Sequence, residues 1–415
     1  MKESAPVYDV IVIGGGASGM MAAGRASERG KRVLLLEKNR TLGSKLKISG
    51  GGRCNITNAE YDIHAFLRHY GKAAPFLFSP FSQFNVKDTF SFFESRGLPL
   101  VVQARNRAFP HTEKATDVCR TLERYLKDTG VVLKTGVPVQ KILSTNSEIT
   151  GVVVDREIYT AHTYILATGG VSHPETGSTG DGFTWLEGIG HTIKTPTPTI
   201  VPLAVADTWI HMLSGVSLSF MKITFYLEGK KQFSKTGKIL FTHFGLSGPL
   251  ILNSAGQVGD LLYSGLVTAK IDAYPHTDSG ALEKQIIKVF DANKNKMLKN
   301  ILKDIVPDGM TDAMPLLLKH IDFDTKVHSI TKEERKQIVN ILKALPVTIT
   351  NLMGYDRAVV ADGGVTLSEI DTRTMQSKKY RNLFVTGDLL HINRPSGGFS
   401  LQLCWTTGYV AGSHA

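Results

Sequence analysis

Residues 9–37, DVIVIGGGASGMMAAGRASERGKRVLLLE, decide the fold of this chain. Residues 10–13 form a short β-branched run, and a glycine-rich turn follows it. Residues 17–28 then have the composition of a helix, which leads into a second apolar run at residues 33–36. A strand, a glycine turn, a helix and a strand that ends on an acid are together typical of a nucleotide-binding βαβ unit. We therefore prefer this prediction to that of a glycine turn without a ligand.

Each part of this unit has a chemical reason. Gly14 allows a tight turn, Gly16 lets backbone amides approach a pyrophosphate, and Gly19 allows a helix and a strand to pack closely. The N-terminus of the helix offers free amides and the positive end of its dipole to an anion. Glu37 follows Gly19 by eighteen positions and is placed to accept hydrogen bonds from a ribose diol.

A second glycine-rich segment, residues 38–58 (KNRTLGSKLKISGGGRCNITN), follows the acid directly. It is long for a connection between packed elements, and long ordered loops in compact domains are usually functional. Its centre, residues 49–55, combines small residues with hydroxyl, guanidinium and amide donors. We predict that this centre binds an anionic or heteroaromatic ligand; the alternative is a flexible surface loop.

Three later segments carry small residues or an acid at a predicted strand end. Residues 163–170, TYILATGG, end in small residues that let the backbone pass close to a nucleotide. Residues 382–388, NLFVTGD, place Asp388 at the carboxyl edge of the sheet, where ligands of such sheets bind. Residues 394–399, RPSGGF, precede a predicted helix at residues 401–411 whose positive end points to the same edge.

Composition bounds the class of protein. The chain has 415 residues, of which 42% are hydrophobic and 20% charged, as in a globular protein with two or three structural units. No apolar run approaches membrane-spanning length, and the start, MKESAPVYDV, has no signal-peptide core, so we expect a cytoplasmic protein without membrane insertion. The three cysteines are far apart and odd in number, which argues against a disulfide framework and against a metal site.

The charge balance is basic. Lys and Arg number 48 against 37 Asp and Glu, a formal net charge of +11. Such a charge favours anionic ligands and permits nonspecific attraction to nucleic acid or to a membrane surface. Lysines alternate with apolar residues over 284–303, which we interpret as a solvated helix face rather than a nucleic-acid surface.

The composition and the hydrophobic pattern of the sequence change along the chain. Residues 61–97 are rich in phenylalanine and are predicted to form helices whose rings pack in the core. From residue 195 the chain becomes proline-rich and alternating, which predicts a separate β-rich domain. Residues 279–345 are predicted to be helical, and strands of the nucleotide-binding type return afterwards.

Taken together, these segments resemble the HI0933-like flavoproteins, a bacterial family of FAD enzymes that also resembles the fumarate reductase and succinate dehydrogenase flavoprotein fold. The segments that carry the resemblance, in chain order, are GGGASG with Glu37, GSKLKISGGGRCNITN, TYILATGG, FTHFGLSGP, ADGGV and VTGD…SGG…TGYVAG. The resemblance implies an α/β fold with a discontinuous Rossmann-like FAD-binding domain at residues 1–194 and 346–415. A β-barrel domain at 195–275 and a helical domain with return strands at 276–345 are expected to be inserted into it.

The resemblance also implies a site map. The diphosphate of FAD is expected at the first glycine turn, the adenosine ribose between Glu37 and Lys38, and the adenine beside Val139. Asp388 is expected to hold the ribityl chain, and residues 49–55 with 397–399 to surround the isoalloxazine. The full set of expected cofactor-binding residues is Gly14, Gly16, Ala17, Ser18, Gly19, Glu37, Lys38, Lys45, Ser49, Gly50, Gly51, Arg53, Cys54, Asn55, Val139, Ala167, Thr168, Gly169, Gly170, Asp388, Gly397, Gly398 and Phe399.

The function implied is an FAD-dependent oxidoreductase that transfers a hydride between flavin N5 and a small organic substrate. Two reactions of opposite direction remain open: NAD(P)H-linked reduction of a conjugated C=C bond in a steroid-like acid, and amine oxidation of the aminoacetone type. Only one dinucleotide fingerprint is present, so NAD(P)H would dock transiently. The basic balance favours an anionic substrate.

Candidate proton donors or substrate-binding groups are Arg53, Cys54, His243 and Arg394. Each has a structural alternative. These are a bond from Arg53 to the cofactor phosphate, core packing of Cys54, a turn cap by His243 and pairing of Arg394 with an acid. Many relatives carry Glu in place of Asp388 and an acid in place of His391, and the second difference prevents any transfer of substrate specificity.

A function of another class, a tRNA-modifying or otherwise RNA-associated flavoprotein, is motivated by the charge, but no RNA-binding motif accompanies it. The oligomeric state stays open.

Overall fold

The computed structural model describes residues 8–415. The expectation about a signal peptide falls largely on residues 1–7, outside the described part. Elements are numbered in chain order. The strands are β1 Tyr8–Ile13, β2 Val33–Glu37, β3 Thr57–Asn58, β4 Leu100–Gln103, β5 Arg107–Pro110, β6 Val132–Thr135, β7 Lys141–Ser144, β8 Ile149–Val154, β9 Glu157–Tyr159, β10 Ala161–Leu166, β11 Ile193–Ile200, β12 Leu203–Val205, β13 Ser217–Leu227, β14 Lys230–Thr242, β15 Gly245–Ser247, β16 Val267–Asp272, β17 Leu345–Leu352, β18 Val360–Val365 and β19 Leu383–Val385.

The helices alternate with the strands in the first part of the chain and dominate residues 279–343. They are α1 Ala17–Glu28, α2 Ser44–Ile48, α3 Ile63–Arg68, α4 Ala74–Gln83, α5 Val86–Glu94, α6 Ala115–Thr129, α7 Asp181–Gly188, α8 Thr208–Met212, α9 Pro249–Leu252, α10 Ala255–Leu262, α11 Ser279–Ala292, α12 Leu298–Ile301, α13 Met314–Leu317, α14 Lys332–Lys343 and α15 Phe399–His414. The chain divides into two compact units, residues 8–197 with Val359–Ala415 and Pro198–Ala358.

The first unit is built on a five-stranded parallel sheet of order β19-β10-β1-β2-β6. Its central strands are apolar and buried on both faces, as parallel strands covered by helices require. Ile13 pairs with Leu166, and Leu166 pairs with Val385, so three strands end at the same level. The turns that follow them therefore meet at one edge of the sheet. This α/β architecture confirms the predicted Rossmann-like fold.

Helices α1 and α15 pack against each other with their backbones in close approach. A Cβ on Gly408 would lie 2.4 Å from the Ser18 carbonyl oxygen, and one on Gly412 would lie 2.3 Å from that of Ala22. Glycine is therefore needed at both positions of α15. The contact fixes the N-terminus of α15 relative to the glycine turn before α1.

The second unit is a closed six-stranded antiparallel barrel of order β12-β15-β14-β13-β16-β17, with helices packed against it. Two predicted boundaries need correction here. Residues 276–345 do not separate as a domain, because buried residues of α11 and α14 belong to the same hydrophobic cluster as those of the barrel. Residues 346–352 do not return to the first unit, because β17 pairs with β16 and β12 and closes the barrel. The return occurs at Val359.

Within residues 8–415, no helix combines the length and the apolar composition that a membrane crossing needs.

Candidate functional site

The first glycine turn lies at the carboxyl edge of the sheet and has space beside it. Gly14 adopts φ +105°, and a Cβ there would lie 2.5 Å from the Ala167 carbonyl oxygen. A Cβ on Gly19 would lie 1.8 Å from the carbonyl oxygen of Gly14, so helix and turn are in contact. Gly16 is different, since a Cβ there would have no atom within 4 Å. The turn thus combines two positions closed by the protein with one that opens onto a cradle.

The first turn of α1 needs an external partner for its amides. Gly16 is the N-cap and has no side chain with which to cap the helix. Ala17 begins the helix, and Ser18 is buried with its Oγ accepting a hydrogen bond from Thr386 Oγ1 at 3.2 Å. The Ser18 hydroxyl therefore faces the neighbouring turn. The backbone amides are left as the anion-binding groups.

Glu37 is buried at the end of β2, with both carboxylate oxygens engaged. Oε2 accepts from the Gly15 N–H at 2.6 Å and Oε1 accepts from the Asn39 N–H at 2.7 Å. These bonds fix the carboxylate, and each oxygen keeps a lone pair for another donor. Val139 lies in a segment anchored beside it, because the Val137 N–H donates to the Glu37 carbonyl at 2.9 Å.

Lys38 points away from Glu37. Its Nζ pairs with Asp181 Oδ2 at 2.8 Å and contacts Thr179 Oγ1 at 2.5 Å. The ammonium thus ties β2 to the first turn of α7. The expected position of Lys38 beside the adenosine ribose stays a prediction.

The segment after β10 passes close to neighbouring elements on both sides. Ala167 donates its N–H to the Ile13 carbonyl at 2.9 Å, and Thr168 faces Gly182, where a Cβ would lie 2.2 Å from Thr168 Oγ1. Gly169 and Gly170 face Ser178 and Asp388. Small residues are therefore needed where this segment crosses the edge of the sheet.

Asp388, Arg394 and Lys45 form a charged group at the same edge. The Arg394 guanidinium is buried and donates to Asp388 Oδ1, to the Ile392 carbonyl at 2.6 Å and to Ser400 Oγ at 3.1 Å. Lys45 Nζ donates to Ser172 Oγ at 3.2 Å. Burial lowers the pKa of the Lys45 ammonium, while Asp388 acts in the opposite direction. An ammonium with further N–H donors in such surroundings suits a phosphate oxygen.

The second glycine segment is a tight turn held to the start of α15. Gly50 and Gly51 adopt φ +58° and +67°, and Ser49 Oγ donates to the Leu46 carbonyl at 2.7 Å. With its nitrogen facing two carbonyls, the Asn55 amide donates to Thr57 and Ala108 at 3.1 and 3.2 Å. Its oxygen accepts from the Gly398 N–H at 2.9 Å. The loop predicted at residues 49–55 and the N-terminus of α15 are therefore joined directly by a hydrogen bond.

The start of α15 is the second glycine-capped helix end at this edge. Gly398 is its N-cap with φ +103°, and a Cβ there would lie 2.3 Å from the Thr57 carbonyl carbon. Gly397 adopts φ +118° and its carbonyl accepts from Asn58 Nδ2 at 3.2 Å. The Phe399 ring is buried against Phe66, at 4.9 Å between centroids, and its edge borders the turn, since a Cβ on Gly397 would lie 3.6 Å from Phe399 Cε2.

Two of the four candidate donors are buried. Cys54 is fully buried, so its thiol has no contact with solvent. Burial raises the pKa of this thiol to about 12, which opposes proton donation. Arg394 is also buried, and its guanidinium donates to Asp388, Ile392 and Ser400. A catalytic role of either residue stays a prediction.

The other two candidates keep accessible side chains. Arg53 is partly exposed; it lies over the Phe109 ring at 4.5 Å and pairs with Glu113 at 3.6 Å. His243 is exposed in the turn between β14 and β15 of the second unit, with its ring 4.9 Å from that of Phe244. Any role of these two residues in catalysis stays a prediction.

Sequence reasoning missed two polar groups that organise the site. Asn58 Nδ2 bridges the carbonyls of Gly397 and Arg105, at 3.2 and 3.1 Å, and so joins the helix front to the β4–β5 hairpin. Ser172 Oγ accepts the hydrogen bond from Lys45 Nζ. Asn58 closes the motif RCNITN and offered a signal, since a polar residue buried in a glycine-rich site needs partners. Ser172 offered none.

These observations fit FAD. The open cradle at Gly16 and the two glycine-capped helix ends provide amides and positive dipole ends for the diphosphate and the flavin. Glu37 and Asp388 provide acceptors for hydroxyl groups at the same edge. Lys45 provides the cation.

Comparison with known proteins gives relatives of the same length. The chain is 29% identical over 408 residues to the 3-dehydro-bile acid delta(4,6)-reductase of Clostridium scindens, covering 97% of this chain and 98% of the relative. It is 27% identical over 406 residues to the ribosomal RNA dihydrouridine synthase of Haemophilus influenzae, covering 96% of each. Among solved structures, a flavocytochrome c3 fumarate reductase in its open conformation matches with a TM-score of 0.56 and 16% identity, over 99% of this chain and 78% of that one.

The structural match supports the fold, and the family is decided by the sequence. The model of the HI0933-like protein Rossmann domain matches residues 8–414. The resemblance drawn from the glycine motifs is therefore confirmed. This chain belongs to the HI0933-like family of FAD-dependent oxidoreductases.

Proposed function

We propose that this protein reduces a C=C bond conjugated to a carbonyl group, with NAD(P)H as the electron donor. The observation that carries the proposal is the shared chemistry of the two full-length relatives. One is named as a reductase of a bile acid, and the other makes dihydrouridine, which is uridine whose conjugated C5=C6 bond has been reduced. Both names describe addition of hydrogen to a C=C bond, which favours a reductase over an amine oxidase.

The reaction adds a hydride and a proton across the C=C bond while NAD(P)H is oxidised to NAD(P)⁺. Bound FAD would supply hydride transfer at N5. The chain itself would hold the diphosphate with the α1 amides and Lys45. It would also place the positive end of α15 where negative charge gathers on the ligand.

The pair of buried Arg394 and partly buried Asp388 would position the segment that leads into α15. Arg394 bonds the Ile392 carbonyl and Ser400 as well as Asp388, so it holds both ends of the connection. Asp388 keeps a second oxygen as an acceptor for a hydroxyl of the cofactor. We assign Arg394 as a positioning residue on this ground.

The electron donor would bind only transiently. One dinucleotide fingerprint is present, and it is the one that we assign to FAD. NAD(P)H would therefore dock without a dinucleotide-binding domain of its own.

A second candidate concerns the acceptor. The relative from Haemophilus influenzae acts on ribosomal RNA by its name, and the basic charge of +11 suits a polyanion. Uridine in RNA is therefore proposed beside a small unsaturated acid. The RNA-associated alternative considered from the sequence, for which tRNA modification was the example, thereby receives a specific reaction, the reduction of uridine in RNA.

Product analysis tests the proposal. The purified holoenzyme is incubated with NADH or NADPH and either a 3-oxo-4,6-diene bile acid or a ribosomal RNA transcript, and the products are analysed by mass spectrometry. We expect one acceptor to gain two hydrogen atoms only when a nicotinamide is present. Consumption of aminoacetone with release of hydrogen peroxide, and no reduction of either acceptor, would contradict the proposal and indicate an amine oxidase.

A further inference from the structure

One outer face of the barrel in the second unit combines lysines, aromatic rings and hydroxyl groups. Ile223 and Phe225 of β13 are fully buried, so the alternate residues Lys222, Thr224 and Tyr226 face outward. Strand pairing places polar residues beside them on both neighbouring strands. Thr236 and Asp272 flank Lys222, Ser234 and Lys270 flank Thr224, and Lys231 and Thr268 flank Tyr226.

A β-bulge adds an exposed aromatic ring to this face. The pairing of β13 with β14 shifts between Leu218 and Met221, and Phe220 lies in the shifted part. Phe220 adopts φ +60°, which is unfavourable for a bulky residue, and it is 70% exposed. Bulges re-aim side chains, and here the bulge exposes a phenylalanine opposite Lys238. We call Phe220, Lys222, Tyr226, Lys231, Lys238 and Lys270 the lysine face.

The charge of the lysine face is strongly positive. Lys222, Lys231, Lys238 and Lys270 are exposed. Asp272, which lies across from Lys222, is bound by Lys343 of α14 at 2.7 Å, so its charge is compensated from outside the face. Lys270 Nζ lies over the Tyr226 ring, 5.5 Å from its centre, so the cation and the ring are direct neighbours on this face.

We propose that the lysine face binds a single-stranded segment of RNA. Lysines on neighbouring strands can neutralise successive phosphates, and exposed aromatic rings can stack on bases that are not paired. Thr224, Ser234 and Thr268 can bond ribose hydroxyls, which single-stranded RNA displays. This inference rests on the proposed function, because it names RNA as the class of substrate that the reductase receives.

The arrangement favours RNA over an anionic membrane. A surface that inserts into lipid needs a continuous apolar face, as an amphipathic helix has. Here the outward positions next to the rings are hydroxyl and lysine side chains. A polar β-sheet surface with interleaved rings is the kind of surface that single-stranded nucleic acid uses.

The lysines of α11 provide a matched control. Lys284 and Lys288 are exposed on the side of α11 opposite buried Leu282, Ile286 and Phe290. This confirms the interpretation of residues 284–303 as including a solvated helix face. The control pair carries the same charge as Lys222 and Lys270 without an aromatic ring between them.

The test measures binding of a fluorescently labelled single-stranded RNA by anisotropy over a series of salt concentrations, with holoprotein. We expect the double variant Lys222→Gln/Lys270→Gln to lose at least tenfold in affinity. The slope of log K against log salt should fall in magnitude by about 1.4, since each phosphate contact with a single strand contributes about 0.7. Tyr226→Leu should weaken binding at every salt concentration and leave the slope unchanged.

The control variant Lys284→Gln/Lys288→Gln should bind as the parent does. Equal losses in both double variants, or no loss in either, would overturn the inference. Binding to vesicles that contain anionic lipid, lost in the Lys222→Gln/Lys270→Gln variant and not competed by RNA, would also overturn it in favour of a membrane surface. Flavin content and thermal unfolding of each variant show that the protein is folded.

Failure of this inference is distinguishable from failure of the proposed function. If NAD(P)H-dependent reduction of an unsaturated acid proceeds while RNA does not bind, the lysine face has another role and the reductase stands. If RNA binds as described but no acceptor is reduced, the proposed function fails and the binding surface stands.

Discussion

Glycines of the first turn have separate roles that single substitutions can resolve. Gly16→Val should fold, because the backbone there is extended and a Cβ meets no atom within 4 Å; the cost at this N-cap is about 1 kcal/mol. The added methyl groups would occupy the cradle, so we expect the variant to be purified without FAD. Flavin absorbance and thermal unfolding of the same sample measure both effects.

Gly19→Ala is the matched control for Gly16→Val, because it adds a methyl group against the protein and not into the space beside Gly16. Its Cβ would lie 1.8 Å from the Gly14 carbonyl oxygen, so the helix must shift, at a cost of roughly 1–3 kcal/mol in the free energy of unfolding. A Gly16→Val protein that retains FAD at full occupancy would refute the assignment of the cradle.

Cys54 is the most deeply buried of the four candidate donors, and chemical modification can check its burial. A fully buried thiol with its pKa raised to about 12 carries almost no thiolate near neutral pH. We expect Cys54 to resist iodoacetamide in the native protein and to react after denaturation, as followed by mass spectrometry of peptides. Cys54→Ala should retain turnover; loss of turnover in a folded, FAD-loaded Cys54→Ala protein would restore Cys54 as a proton donor.

The residues that sequence reasoning placed well are those whose role follows from backbone geometry. Gly14, Gly16 and Gly19 lie in the turn expected of them, because a glycine turn after a β-branched strand has few alternatives. The burial of Arg394 and Cys54 could not be read from the sequence, because it depends on residues remote in the chain. The pairing of Arg394 with an acid was one of the alternatives drawn from the sequence, and its partner Asp388 lies six positions before it.

At the scale of elements, the contact of α1 with α15 sets the site and can be tested by adding methyl groups. Gly408→Ala and Gly412→Ala should each destabilise the protein by roughly 1–3 kcal/mol, since each Cβ would lie within 2.4 Å of a backbone oxygen of α1. Denaturant unfolding measures the effect. Gly188→Ala at the end of α7, where a Cβ meets no atom within 4 Å, should be neutral or slightly stabilising and serves as control.

A buried network joins the end of α7 to the segment after β18. His191 donates from Nδ1 to Glu369 Oε2 at 2.7 Å and accepts at Nε2 from the Ser377 hydroxyl at 3.0 Å. Lys379 pairs with Glu369 at 3.0 Å. Burial raises the pKa of Glu369, but the hydrogen bonds from Lys379, Thr192 and His191 outweigh it and hold the pKa at about 2.

This network predicts a pH dependence of stability. The carboxylate of Glu369 is stabilised in the folded state, so its contribution is present above the unfolded pKa near 4.5 and is lost as the pH falls through about 2. Burial also lowers the pKa of His191, so acid destabilises the network through both groups. Glu369→Gln should lower the free energy of unfolding at pH 6 by on the order of 1–2 kcal/mol, since the amide keeps one acceptor oxygen but not the charge.

The difference in the free energy of unfolding between parent and Glu369→Gln should shrink as the pH falls from 4.5 towards 2. Denaturant titrations at a series of pH values measure it. A difference that stays constant over this range would show that the charge of Glu369 does not act as described.

Element predictions succeeded where apolar periodicity was strong. Helix α1 has the predicted bounds. The first half of β14, KKQFSKTG, lacks a strong pattern, because its lysines and glycine lower its strand propensity, and pairing with β13 makes it a strand. β17 was assigned to the wrong unit because its alternation fits a barrel strand and a return strand equally well.

At the scale of the whole molecule, the order of motifs identified the family, and the family implied the architecture. The parallel sheet, the closed barrel and the helices of residues 279–343 are all present. The sequence could not show that these helices share one core with the barrel, because that depends on packing between segments remote in the chain. The sequence likewise gives the net charge of +11 but not its distribution over the surface, because only strand pairing shows which lysines share a face.

The central claim is that this FAD-dependent protein takes electrons from NAD(P)H and gives them to a conjugated C=C bond. The most direct measurement is anaerobic stopped-flow absorbance in the flavin band, after mixing with NADH, NADPH or aminoacetone and then with an unsaturated acceptor or air. We expect a nicotinamide to bleach the band, and the acceptor to restore it faster than air does. Bleaching by aminoacetone alone, followed by rapid recovery in air with release of hydrogen peroxide, would contradict the claim.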